Sequence, residues 1–200
     1  RTGAFLVRDP ETSAVTGGTH QGVPDLPADA PWAERLLERL PDSPQDGEAF
    51  CFQLNFEEVP VSVRKPQWPS QGIVWVFAEA SAERYGGTVH FDPRPVVEIP
   101  WATRVRPAAE AYRWQESPSL PAYLPQVLPQ IAWSADLQET YDNWAIHFNA
   151  RHAHSDWQVG GWVWPCQGQF DRYNETVIAQ LSRQPFGDFG EVSLHYAPAR

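Results

Sequence analysis

The chain has 200 residues, with 25 acidic and 15 basic side chains, a formal net charge of −10 and ten tryptophans. This length is sufficient for one domain with a core of its own. The acidic balance argues against a nucleic-acid ligand, because proteins that bind the phosphate backbone do so with clustered basic groups. It is compatible with plain solubility or with a basic protein partner.

The sequence contains no apolar run long enough to span a membrane, and no secretory signal pattern opens it. Its two cysteines, Cys51 and Cys166, form neither a C-x-x-C pair nor a metal-ligand spacing. We therefore expect two free thiols in a cytoplasmic protein without a cofactor. A disulfide between the two residues is the alternative.

The first predicted elements are a short strand at AFLV and a helix from about Pro31 to Leu40. The helix is expected because one stripe of its surface is apolar and Pro41 follows it. The segment FCFQLNF alternates, which predicts a half-buried strand with two distinct faces. One face would carry Phe50, Phe52, Leu54 and Phe56, and the other would carry Cys51, Gln53 and Asn55.

The next segment, IVWVFAEA, is an almost continuous apolar run and predicts a central strand covered on both faces. The segments TVHF and VVEI predict two short strands on either side of the Asp92-Pro93 turn. A short helix is expected from Pro107 to Gln115. Four prolines between positions 118 and 129 exclude an ordinary helix or a central strand there.

The second half is expected to open with the clearest helix of the chain, from about Asp136 to Ala150. Asp136 and Glu139 have the spacing of a capping box, and an apolar face repeats at intervals of 4, 3 and 4 residues. That face consists of Leu137, Tyr141, Trp144 and Phe148. Three strands are expected to follow, at WQVGGWVWP, TVIAQLS and EVSLHY.

Three features recur in the same order along the chain. Gly17-Gly18, Gln53-Leu54 and Gly72 correspond to Gly160-Gly161, Gln180-Leu181 and Gly190. Similarity in a fixed order indicates two copies of one supersecondary unit. We therefore predict an α+β fold of mixed, mostly antiparallel sheets with a few helices, built from two pseudo-repeated halves. Residues 1–200 would form a single domain, with halves at about 1–117 and 131–200 and a Pro-rich connector at about 118–130.

A cluster of histidines near the end of the long helix raises the hypothesis of a metal-dependent hydrolase. The residues are His147, His152, His154 and Asp156. On a strand, His152 and His154 would point the same way and could hold a metal ion. The alternative is a polar helix C-terminus, where histidines interact favourably with the helix dipole. Because a metal site normally needs three or four such ligands and only His195 follows this cluster, we assign no metal site and keep His152, His154 and Asp156 as weak candidates. We assign no catalytic residue, because the sequence has no nucleophile elbow and no phosphate-binding loop.

The segment WQVGGWVWPCQGQFD combines aromatic and amide side chains with a glycine pair. Its tryptophans Trp162 and Trp164 would point to one side of a strand. Such a surface can bind a sugar or a protein partner, and the alternative is two core tryptophans. The candidate binding residues are Trp162, Trp164, Gln167, Asp171 and Gln53.

Five pieces of the sequence, in one order, resemble the YwqG-like family of bacterial proteins, a domain of unknown function. The pieces are GGTHQGVPDLP, FCFQLNFEEVP, QGIVWVFAEA, WQVGGWVWPCQGQFD and FGDFGEVSLHY, and they span most of the chain. The resemblance implies a duplicated α+β fold and no established reaction. Because some relatives are encoded beside polymorphic toxins, it also implies an immunity or partner-binding role. The first Gly-Gly loop, with Thr19 and His20, is longer than the family pattern.

The sequence therefore predicts a non-catalytic cytoplasmic interaction protein of the immunity type. It would bind a basic protein partner, and neither nucleic acid nor a membrane. Two alternatives remain open. One is the metal-dependent hydrolase, and the other is a carbohydrate-binding module that uses Trp162 and Trp164. The oligomeric state is not determined by the sequence.

Overall fold

The computed structural model describes residues 2–8, 24–34, 48–81, 84–102, 112–121, 124–152, 157–162, 177–181 and 192–196. Within these ranges the chain forms two antiparallel sheets and a few helices, which confirms the α+β class. None of the helices in this part of the chain is long and apolar enough to cross a membrane.

The smaller sheet contains three strands in the order β2-β3-β4. The strands are β2 (Glu48–Asn55), β3 (Ile73–Ser81) and β4 (Arg84–Asp92). β3 is central, as its continuous apolar run predicts, because it has a neighbour on each side and core on both faces. Its alternate residues enter two different core clusters: Ile73, Trp75 and Phe77 enter one, and Val74 and Val76 enter the other.

The larger sheet contains five strands in the order β5-β1-β6-β7-β8, and all its described pairs are antiparallel. The strands are β1 (Thr2–Arg8), β5 (Tyr112–Pro118), β6 (Trp157–Gly160), β7 (Val177–Leu181) and β8 (Val192–His195). The strands predicted at AFLV, TVIAQLS and EVSLHY are confirmed. Because β1 lies between β5 and β6, strands from both predicted halves share this sheet.

β2 departs from regular alternation at Cys51. Phe50 pairs with Phe77 and Phe52 pairs with Val76, so Cys51 is the extra residue of a bulge. Phe50 consequently enters a different core cluster from Cys51 and Phe52. The prediction that Phe50 and Phe52 share a face is therefore wrong. The predicted half-buried strand is also wrong, because residues 50–56 are all buried. Cys51 is buried in β2, and Cys166 lies outside the described residues.

Three helical segments are described: residues 31–34 (α1), Leu124–Val127 (α2) and Ala135–His152 (α3). α3 confirms the predicted long helix. Ser134 caps it, rather than Asp136, because the Ser134 hydroxyl accepts the Leu137 N–H at 3.2 Å. The helix predicted to extend to Leu40 is described only over α1.

Three predictions for the middle of the chain are wrong. VVEI does not form a strand, because Val96–Glu98 is a 3-10 turn that begins after Pro95, whose ring fixes the backbone there. Residues 112–115 belong to β5 and not to a helix. α2 lies within the Pro-rich connector, where Pro125 is accommodated because the first turn of a helix needs no N–H from that position.

The pairs β2–β3 and β7–β8 have the same register relative to their sequence features. In each pair, the first strand carries a glutamine whose register partner on the second strand lies three positions after a glycine in the sequence. The strand pairing is also irregular two residues before that glutamine, in β2 and in β7. The residues are Gln53, Trp75, Gly72 and Cys51 in the first pair, and Gln180, Ser193, Gly190 and Ile178 in the second. The surroundings differ, because β7 lies between β6 and β8 whereas β2 has one partner among the described strands.

Candidate functional site

A buried polar contact fixes the segment 24–34 on the smaller sheet. The amide oxygen of Gln53 accepts the Asp25 N–H at 3.0 Å, and its amide nitrogen donates to Asp25 Oδ2 at 3.3 Å. The Trp75 indole N–H donates to the Asp25 carbonyl oxygen at 2.6 Å. All three residues are buried, so their polar groups depend on one another for hydrogen bonds. We call this contact the Asp25 lock.

An exposed ion-pair cluster holds the same segment at a second point. The Arg94 guanidinium donates to the carboxylates of Asp92 and Asp29, at distances between 2.5 and 3.1 Å. Asp92 ends β4 and Asp29 belongs to the segment 24–34, so Arg94 joins the segment to the sheet. Hydrogen bonds from Arg94 lower the pKa values of Asp29 and Asp92, and the two carboxylates raise the pKa of Arg94.

We expect Arg94→Gln to lower the midpoint of thermal unfolding near pH 7 and to lose this effect in acid. The pKa values of Asp29 and Asp92 in the folded chain lie below the usual 3.8. Their stabilisation is therefore present above that pH and is lost as the pH falls through the folded-state values. The effect is small even at neutral pH, because Arg94 and Asp29 lie at the surface, where solvent screens their interaction. Circular-dichroism melts at about pH 7 and about pH 2.5 check this. Equal differences between variant and wild type at both pH values would contradict it.

Apolar side chains protrude from one end of the smaller sheet. Val74 and Val76 of β3 are buried in a core cluster, but their partners on β4, Phe91 and Val89, are exposed. After β4 the chain turns into the 3-10 segment, where Val97 is 91 % exposed. We call Val89, Phe91 and Val97 the apolar ledge. Val89 and Phe91 therefore continue the buried cluster of β3 to the surface, and Val97 is the next exposed apolar residue along the chain.

Two contacts connect the parts of the apolar ledge. The ring of Phe91 meets the ring of Phe56 edge to face, with centroids 6.0 Å apart. The next residue, Glu57, accepts the Val96 N–H on its carboxylate at 3.3 Å. The end of β4, the residues after β2 and the 3-10 turn therefore lie side by side.

The segments near the ends of β2 and β4, together with the segment 24–34, are rich in carboxylates. These belong to Asp29, Glu57, Glu58, Asp92 and Glu98. The basic groups described in the same segments are Arg94, in the ion-pair cluster, Lys65, and Arg64, whose guanidinium donates to backbone carbonyls such as Val59 O at 2.7 Å. Five carboxylates and three basic groups leave a formal charge of −2. Because successive residues of β4 face opposite sides of the sheet, Asp92 lies on the side that the segment 24–34 covers and Phe91 lies on the other side.

The glycine pair of the Trp-rich segment forms a tight turn at the end of β6. Gly160 and Gly161 have positive φ angles of 65° and 71°, which favour glycine. Ser119 fixes the turn, because its hydroxyl accepts the Trp162 N–H at 2.8 Å and donates to the Trp162 carbonyl oxygen at 3.0 Å. The side chain of Trp162 is partly exposed. The backbone thus positions Trp162 at the rim of the larger sheet.

The residues of the predicted binding surface lie in different parts of the fold. Gln53 is buried in the Asp25 lock of the smaller sheet, so a ligand role would require loss of its hydrogen bonds. Trp162 lies at the glycine turn of the larger sheet. The other predicted residues, Trp164, Gln167 and Asp171, lie outside the described ranges. The structure therefore locates two of the five residues and does not bring those two together.

The described histidines do not assemble a metal site. His147 is exposed on α3, and His152 is the last residue of that helix instead of part of a strand. Five residues along a helix correspond to about 140° around its axis, so these two positions do not share a face. His154 and Asp156 lie outside the described residues. Within the described ranges, no group of three or more His, Cys, Asp or Glu residues could hold a metal ion.

Comparison with protein-family models, with curated proteins and with solved structures finds no match to this chain. The resemblance to the YwqG-like family therefore stays a prediction.

The apolar ledge is absent from the residues singled out in the sequence. The sequence predicts ordinary strands around Val89 and Val97. In such a strand the sequence alone does not tell an exposed side chain from a buried one, because that depends on which face of the sheet is covered. One signal was present: prolines at positions 93 and 95 flank the segment before Val97. Prolines so spaced favour a turn, where an apolar side chain has no neighbouring strand to cover it.

Proposed function

We propose that this chain is a non-catalytic interaction protein that binds a basic protein partner at the apolar ledge. The observation that carries the proposal is the exposure of Val89, Phe91 and Val97 next to segments that are rich in carboxylates. Exposed apolar patches rimmed by polar groups mark interaction sites. Protein interfaces have the same arrangement, with an apolar centre and a polar rim.

The sign of the rim charge determines the kind of partner. The segments next to the ledge carry a formal charge of −2 within a chain of −10. An acidic surface accelerates encounter with a basic partner and disfavours acidic ones. The pKa values of Asp29 and Asp92 are lowered, so both carboxylates stay ionised at neutral pH. The apolar centre would supply affinity, and the rim would supply selectivity.

Within this class we infer an immunity-type role in the cytoplasm, in which the basic partner is a toxin. The support is the resemblance to the YwqG-like family together with the acidic surface. We also infer that the chain is internally duplicated. The support is the shared register and the shared position of the irregularity in the pairs β2–β3 and β7–β8.

Val97→Lys is expected to weaken binding to the basic partner by about 10- to 100-fold. The lysine places a positive charge at the centre of the contact and removes an apolar group, and each tenfold loss corresponds to about 1.4 kcal/mol. The immobilised wild-type chain is first used to capture proteins from a lysate of the native host. A captured protein is then purified and its affinity measured by calorimetry at two salt concentrations.

Val61→Lys is the matched control. Val61 is also an exposed valine in a 3-10 turn led by a proline, and it is 79 % exposed. Its turn lies against β1 of the larger sheet and not at the ledge. The proposal is supported if the captured protein is basic, is released by salt, and is lost with Val97→Lys but kept with Val61→Lys. Capture of an acidic protein, or equal affinities for the two variants, would refute it.

A further inference from the structure

α3 carries a second exposed apolar surface, away from its buried side. The helix buries Ala145, and Tyr141 and Phe148 are partly buried. Trp144 is 55 % exposed and Leu137 is also exposed. One residue corresponds to about 100° around a helix, so Trp144 lies well away from the direction of Ala145. The sequence pattern predicted one apolar face that includes Trp144, but the buried side of the helix lies along the Tyr141–Ala145 line, so Trp144 reaches solvent.

The aromatic rings on α3 form a continuous strip. The ring centroids of Tyr141 and Trp144 are 6.1 Å apart, and those of Trp144 and Phe148 are 5.4 Å apart. Tyr141 is held from below, because its hydroxyl donates to the Pro121 carbonyl oxygen at 2.6 Å. Trp144 therefore lies between the rings of Tyr141 and Phe148, and its exposed side is a preformed apolar surface. We call Leu137, Tyr141, Trp144 and Phe148 the α3 strip.

The spacing of the α3 strip reads the same in both directions, at intervals of 4, 3 and 4 residues. An antiparallel copy of the helix would therefore place Leu137 opposite Phe148, and Tyr141 opposite Trp144. Alternating intervals of four and three residues are those of a seam between two helices. A surface that meets its own copy about a two-fold axis must be self-complementary, and a palindromic strip satisfies that condition.

The charge around Trp144 also favours a second copy over the basic partner of the ledge. The positions three and four residues from Trp144 on the helix surface are Thr140, Tyr141, His147 and Phe148, and none is acidic. The nearby carboxylates Glu139 and Asp142 lie about 140° and about 160° around the axis from Trp144. In a chain of net charge −10, a face without carboxylates is where two copies meet with least repulsion.

We propose that a second copy of this chain covers the α3 strip, with the two α3 helices antiparallel about a two-fold axis. This contact is independent of the apolar ledge, which stays available to the basic partner.

Sedimentation equilibrium of the full chain tests the proposal. We expect a concentration-dependent dimer, and Trp144→Lys is expected to weaken it by at least about tenfold. Leu137→Lys, at a second exposed position, is expected to act in the same way. Val97→Lys, at the ledge, is the control and should leave the dimer unchanged. A wild-type chain that stays monomeric up to about 1 mM, or a dimer unaffected by either strip variant, overturns the proposal.

Salt distinguishes this contact from the ledge. Screening reduces the repulsion between two acidic copies, so added salt should tighten the dimer, whereas it should weaken binding of a basic partner. A dimer that dissociates with salt would contradict the proposal and leave the ledge proposal untouched. Loss of partner binding while the dimer stays intact would contradict the ledge proposal and leave the dimer proposal untouched.

A cysteine variant tests the helix orientation. In a Cys166→Ser background, Leu137→Cys should not form an intermolecular disulfide. In the antiparallel arrangement the two residues 137 are offset by 11 positions, or about 16 Å along the helix, which is too far for a disulfide. Rapid formation of a disulfide-linked dimer would show a parallel arrangement and reject this geometry.

Discussion

Gln53→Leu is expected to destabilise the protein by about 3 to 5 kcal/mol, because it opens the Asp25 lock. The change removes the acceptor of the Asp25 N–H and the donor to Asp25 Oδ2, both in the protein interior. Each buried polar group left without its partner costs about 1 to 3 kcal/mol, and more when it is charged. The leucine adds apolar volume but cannot hydrogen-bond. The loss should be visible as a lower midpoint of urea unfolding with an unchanged slope.

Gln115→Leu is the matched control for this prediction. Gln115 also lies on a strand, but its side chain is exposed. The same chemical change there should alter stability by no more than about 0.5 kcal/mol. If Gln53→Leu cost no more than Gln115→Leu, Asp25 would have to find other partners, and the lock would not fix the segment 24–34. Such a result would also reopen a ligand role for Gln53.

Gly72→Ala is expected to cost about 3 kcal/mol or more, for reasons of backbone geometry alone. Gly72 precedes β3 with a φ angle of 95°, a conformation that other residues adopt only with strain. A Cβ atom there would lie 2.4 Å from the Asp92 carbonyl oxygen and 3.0 Å from the Pro93 Cα atom. Because these are backbone atoms of the adjoining strand and turn, they cannot move without loss of pairing. The same turn carries the apolar ledge, so partner binding should weaken as well.

Gly161→Ala provides a graded comparison. Its φ angle is also positive, at 71°, but a Cβ atom would meet side-chain atoms of Gln158 and Ser119 at 2.8 to 2.9 Å. Side chains can move aside at lower cost than backbone, so this variant should lose about 1 to 2 kcal/mol. Urea unfolding of both variants measures the difference. A Gly72→Ala protein as stable as wild type would mean that the turn relaxes, and the expected displacement of the ledge would then be absent.

The sequence by itself determined most of the elements. The continuous run IVWVFAEA specified the central strand β3, because only a strand covered on both faces can be apolar throughout. The repeat of Leu137, Tyr141, Trp144 and Phe148 specified α3 through its helical spacing. In β2 the alternation failed at a single residue. The bulge at Cys51 moved Phe50 to the opposite face of β2, and neither composition nor alternation marks a bulge.

Tertiary structure decided which apolar residues are covered. Val76 and Val89 are neighbours on the same face of one sheet, yet the core covers the first and leaves the second exposed. In the same way the helical repeat located the α3 strip, but only the anchoring of Tyr141 and Ala145 showed that Trp144 faces outward. Periodicity records which residues share a face, because it follows from backbone geometry. What lies against that face depends on segments distant in the chain, so a local sequence pattern does not predict it.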